Sequence, residues 1–130
     1  MVLPANMSTG AIEKEGIVAD IWVLTQPTDS SKKRGFIRAD VITGVSGDTG
    51  GVLAVRSDTQ GLVSLAAAVT PGGKRKPLPA GFHVCFLQTL DEVRRDKSAL
   101  AKAVMARWVV DQDEWQWVVE DIEDLAPSDF

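Results

Sequence analysis

Nine consecutive residues gather the groups best suited to meeting a nucleic acid: Lys32-Lys33-Arg34-Gly35-Phe36-Ile37-Arg38-Ala39-Asp40. The cations suit phosphates, Gly35 lets a backbone come close, and the Phe36 ring offers one stacking face. The same order equally describes a strand entering a core behind a solvated charge run. Arg56 and the exposed basic loop around Lys74, Arg75 and Lys76 are the other cations that could join such a surface.

Other chemistry is thinly supplied. The single histidine, His83, and the single cysteine, Cys85, sit two apart. A structural zinc site takes four ligands, and a nucleophile–base pair needs an orienting partner and a pocket, so these two read as structural. The glycine-rich stretch 44–51 lacks the Gly-Lys-Ser/Thr ending of a phosphate loop, and the acids near the end of the chain lack calcium-loop spacing. No metal, cofactor or catalytic group is expected. Trp108, Trp115 and Trp117 read as core or interface anchors rather than base platforms, since acids flank them.

The charge is unevenly spread. Residues 111–130 hold eight acids and no Lys or Arg, so the net charge of −4 conceals a body, 1–110, at +4. The sequence holds 130 residues, 45% of them hydrophobic and 25% charged, as in one ordinary globular domain. Its longest uncharged run, 59–73, is broken by glycines and a proline and is too short to cross a membrane. With no basic-then-apolar leader and no possible internal disulfide, an intracellular, reducing compartment is the expectation.

The elements that must carry these residues read mainly as strands. Residues 16–24, 34–42, 51–56 and 82–90 are rich in β-branched and aromatic residues, and glycine- or serine-rich turns separate the first three. Residues 60–70, with Leu62, Leu65 and Val69 at spacings of 3 and 4, predict a short helix. A charged stretch, partly helical over 91–100, leads to a fifth strand at 101–110. The alternation of Trp115, Trp117 and Val119 predicts a sixth strand hairpinned onto it, before a loose tail at 121–130.

In this order the segments resemble a cold-shock domain. Gly16-Ile17-Val18 is similar to its opening strand, and Lys33-Arg34-Gly35-Phe36-Ile37 to its first ribonucleoprotein motif. The stretch 52–57 stands where the second motif belongs. Leu78, Gly81, Val84 and Phe86 fit the fourth strand, and Ala101-Lys102-Ala103-Val104 the start of the fifth. The resemblance implies a mainly β fold, a small five-stranded oligonucleotide-binding barrel over 14–110. A flexible segment, 1–13, would precede it, and an acidic, Trp-containing β extension, 111–130, would follow.

The base-stacking positions differ, with Leu53, Val55 and Arg56 in the second motif and Arg34 in the first. Contact mainly through backbone charge is therefore implied, to single-stranded RNA or DNA within a ribonucleoprotein assembly. Its contributors would be Lys32, Lys33, Arg34, Phe36, Arg38 and Arg56, with Lys74, Arg75 and Lys76 as an outlying clamp. Phe36 is expected on the outer strand face beside Arg34 or Arg56. The second reading is an architectural subunit that docks a protein partner through Trp115 and Trp117. In either, the acids at 120–124 are placed to shadow the cations of 32–38 or 74–76.

Overall fold

The computed structural model describes residues 20–26, 34–96 and 100–130, so the expectations for 1–13, for 16–19, and for Lys32 and Lys33 lie outside the described residues. Among the described residues, seven strands and one α-helix form a mainly β fold of two sheets. The four-stranded sheet has at its centre β1 (Ile21–Thr25), all of whose residues but one are β-branched or aromatic. It pairs antiparallel with β2 (Gly35–Arg38) and parallel with β6 (Lys102–Val109), and β6 carries β7 (Glu114–Asp121) antiparallel on its far side. The other sheet is an antiparallel meander of β3 (Ile42–Asp48), β4 (Gly51–Arg56) and β5 (Leu62–Ala67). The described strands do not close into the expected barrel. The sheets meet where the Gln26 backbone N–H donates to the Ser64 carbonyl at 2.8 Å.

The helix α1 (Phe82–Arg95) closes the core. Its buried residues Phe82, Phe86, Leu90 and Val93 lie 4, 4 and 3 apart, one stripe of an α-helix. They pack with Val23, Ile37, Val52, Ala54, Leu65, Val104 and Trp115 in a single core shared by both sheets. Gly81 at its entry takes φ of 74°, a left-handed conformation that glycine adopts freely.

Several elements differ from the sequence reading. The predicted strand 82–90 is helical, because the period-2 alternation of Phe82, Val84 and Phe86 hides the longer Phe82–Phe86–Leu90 repeat, and only the latter faces the core. The predicted helix within 60–70 is β5, whose backbone pairs with β4. The expected turn over 43–51 is largely β3, and its real turn is tight, with Asp48 Oδ1 accepting from the Gly50 and Gly51 backbone N–H groups at 2.7 and 3.2 Å. The strand 34–42 divides into β2, a 3-10 turn (Ala39–Val41) and the start of β3, so the chain changes sheets inside it. The hairpin of 101–110 with 115–120 forms as expected, as β6 and β7. Because β7 pairs with β6 from Lys102↔Asp121 to Val109↔Glu114, it is a full member of the sheet. The tail is not loose: it turns through two 3-10 segments (Ile122–Asp124, Pro127–Asp129) and packs against the outer face of the four-stranded sheet.

Candidate nucleic-acid interface

Alternation along β2 decides what its residues can reach. Ile37 faces the core, which turns Phe36 and Arg38 outward. Register then aligns Phe36 with Leu24, and Arg38 with Trp22. On the neighbouring strands Ala103 and Met105 face the same way, with Val118 opposite Met105. Phe36 is thus on the outer face, as expected, but it is covered. The Phe130 ring packs against it at 5.4 Å, and Ile122 and Leu125 join a second, smaller apolar cluster with Leu24, Ala103 and Met105.

The cations divide by what holds them. Arg38 hydrogen-bonds Asp40 and Asp20, contacts that raise its pKa, and lies over the Trp22 ring at 5.6 Å. Arg56 is on the other sheet, away from Phe36, and is hydrogen-bonded to Asp58 at 2.6 Å. That contact pulls the Asp58 carboxyl below its ordinary range. Both arginines are spoken for by carboxylates. Arg34 instead donates to a backbone carbonyl, that of Asp129, at 2.9 Å, and its guanidinium lies 5.8 Å from the Phe130 ring centre.

Arg34 also lines a cleft of about 390 Å³ between the end of β1, the end of β6 and the 69–71 turn. Gln26, Thr70, Arg107, Trp108 and Phe130 line it as well. Gln26 is fixed by donating from Nε2 to the Ala106 carbonyl at 2.8 Å. Arg107 reaches Glu120 at 3.4 Å while remaining partly exposed. A neighbouring groove of about 310 Å³ shares Trp108 and is lined by Lys76, Pro77 and Asp113. Lys76 places its ammonium 5.6 Å from the Trp108 ring centre and 3.9 Å from Asp113. Cations and rings therefore share two adjoining grooves, Arg34, Arg107, Trp108 and Phe130 in the first and Trp108 and Lys76 in the second.

The loop that carries Lys74, Arg75 and Lys76 is held in place. Thr70 N–H donates to the Lys74 carbonyl at 2.8 Å, Lys76 N–H to the Ala68 carbonyl at 2.9 Å, and Val69 bridges Arg75. The side chains of Lys74 and Arg75 are exposed. This loop stands beside the groove, whereas Arg38 and Arg56 do not line it.

Trp115 and Trp117, expected to anchor the 111–130 segment on the body or on a partner, anchor it on the body. Trp115 is buried and donates from Nε1 to the Lys76 carbonyl at 2.9 Å, which ties the basic loop to β7. Trp117 donates to the Phe82 carbonyl and stacks on the Phe82 ring. Neither indole N–H is left for a partner. His83 and Cys85 fall in the first turn of α1 rather than on one strand face; His83 is half-buried beside Gly47 and Cys85 is exposed. Among the described residues no three His, Cys, Asp or Glu side chains come together as a metal site, and no helix is long and apolar enough to cross a membrane.

Arg107, Trp108 as a groove wall, and Phe130 were not singled out by the sequence. The alternation Met105–Arg107 on β6 carried the signal for Arg107, while Phe130 is placed only by the turn-back of the chain. Compared with known proteins, the chain matches no family, no curated protein and no solved structure.

Proposed function

We propose that this protein is a non-catalytic binder of single-stranded nucleic acid, RNA or DNA, acting within a ribonucleoprotein assembly. The observation that carries this reading is the groove in which Arg34 and Arg107 stand beside the Trp108 ring, continued by Lys76. Guanidinium groups bind phosphate with paired donors, and aromatic faces accept any base, so the two together suit a flexible single strand. Lys74, Arg75 and Lys76 extend the charge along the strand's path; Arg38 and Arg56 serve the fold instead.

The test is a salt-dependent titration with a labelled single-stranded RNA. Binding should weaken linearly on a log–log plot of affinity against salt, and Arg107→Gln should reduce the slope by about 0.7. Absence of binding at low salt by the folded chain overturns the groove as a sufficient site.

One observation favours the rival, architectural role. Leu53, Val55 and Leu62 are aligned by register on the outer face of the three-stranded sheet, and all three are exposed, Leu62 at 70%. Leu62→Lys would disrupt a protein contact there and leave nucleic-acid binding unchanged.

A further inference from the structure

The outer face of the four-stranded sheet is apolar in the middle and cationic at its rim. Leu24, Ala103 and Met105 are buried there, with Phe36 and Val118 around them, yet they form a cluster separate from the main core. What buries them is the segment 122–130. Its Ile122 and Leu125 point into the cluster, and Phe130 covers Phe36. Its Glu123, Asp124 and Asp129 are exposed. Arg34, just before β2, and Arg38, at its end, border this face, and Arg107 borders it on β6.

The segment is lightly fastened. Ile122 N–H donates to the Ala101 carbonyl at 2.9 Å, and beyond it the backbone hydrogen bonds of Leu125, Asp129 and Phe130 all return to the segment itself. Among the described residues its other polar ties to the body are the Arg34 hydrogen bond to the Asp129 carbonyl and the attraction between Asp124 and Lys102. A strap with one backbone bond at its base and side-chain packing along its length opens at lower cost than a paired strand.

We infer that 122–130 is a built-in competitor, a strap that occupies a second nucleic-acid surface and must lift before a single strand can use it. The inference rests on the proposed binding of single-stranded nucleic acid, and it names how that binding is regulated. Strap and ligand have related chemistry: the strap sets a backbone carbonyl on Arg34 and a ring on Phe36, where a single strand would set a phosphate oxygen and a base. With the strap down, a ligand has the groove at the edge. With the strap up, Phe36, Leu24 and Met105 become a stacking and apolar platform continuous with Arg34 and Arg107. Because one population holds the strap and another holds the ligand, apparent affinity is reduced by the fraction of open chains.

The experiment compares the intact chain with a Leu125→Ser/Phe130→Ala variant and with Phe130→Ala alone, using a labelled single-stranded RNA of about 12 nucleotides, within the usual size for one such surface. Neither variant changes net charge, so a gain in affinity is not long-range attraction. The loosened variant should bind at least about tenfold more tightly, as for a strap closed in nine chains of ten. Adding Phe36→Ala should abolish that gain, while Phe36→Ala in the intact chain should change affinity less than about twofold. If the double variant does not fold, Phe130→Ala, which removes a partly exposed ring, decides by the same readout. On the intact chain, saturating RNA should make the amides of Leu125, Asp129 and Phe130 exchange faster, and protection gained there overturns the inference. Intact binding with no gain on loosening rejects the strap and keeps the groove. Binding only after loosening keeps the strap and rejects the groove as sufficient. No binding by any of the chains rejects both.

Discussion

The indole of Trp117 donates to the carbonyl of Phe82 at 2.8 Å, and the two rings stack with centroids 4.7 Å apart. One residue of the acidic region thereby fixes the start of the only helix among the described residues. Phe86 meets the same indole at 4.8 Å. Trp117→Phe keeps ring packing and loses the hydrogen bond, and should cost about 1 kcal/mol in urea unfolding. Trp117→Ala should cost about 3–5 kcal/mol, because a cavity opens against two aromatic rings. Truncation before Asp111 should abolish the cooperative transition, since it strips β7 from β6 and bares the helix stripe.

The entry to that helix gives a cleaner measurement. Gly81 has φ of 74°, and a Cβ placed there meets nothing within 4 Å. Any loss in Gly81→Ala is therefore backbone strain rather than collision, about 1–2 kcal/mol. The midpoint of urea unfolding should fall with its slope unchanged.

How much of this was legible beforehand varies by element, for physical reasons. The β6–β7 hairpin was readable because its pairing is local and its alternation, Trp115 and Trp117 against Gln116 and Val118, is regular. The helix was not, because Phe82-His83-Val84-Cys85-Phe86 satisfies both periods and only the shared core selects one. In β5, Leu62 and Leu65 mimic helical spacing, but β4 supplies backbone partners that no local pattern reports. At the candidate site, Arg34 and Lys76 were recognisable as cations. That Arg38 and Arg56 are neutralised could be suspected from Asp40 and Asp58 two positions on, whereas Asp20 reaches Arg38 only through the fold. Cover over Phe36 comes from a residue 94 positions away, beyond any local reading.

Two ion pairs predict the response to pH. The Arg56 contact depresses the Asp58 carboxyl, so its contribution is complete above the unfolded carboxyl value of about 3.9 and is lost as pH falls through the lower folded value. Asp58→Asn should therefore lower stability at neutral pH and match the unmodified chain in strong acid. Lys102 runs the other way. The hydrogen bond it donates to Asp121 raises its pKa, so its contribution is complete below about 10.4 and is lost as pH climbs through the folded value. Lys102→Met should flatten the alkaline limb alone. Both pairs are partly open to solvent, which keeps the effects small.

The division of cations into occupied and available ones can be read from salt dependence. If a single strand follows the groove past Trp108 to the basic loop, each phosphate neutralised there releases counterions. Removing one such cation should then lower the log–log slope by about 0.7. Lys74→Ser and Arg75→Ser should each do so, since both are exposed and sit on a loop that its backbone bonds hold beside the groove. Lys76→Met should do the same and also remove the cation over the Trp108 ring. Arg38→Gln and Arg56→Gln supply the contrast. Their charges are matched by Asp20, Asp40 and Asp58, so their loss should leave the slope within error while weakening the fold slightly. Equal slope changes from all five substitutions would mean that the strand responds to total charge, and the path through the groove would have to be abandoned.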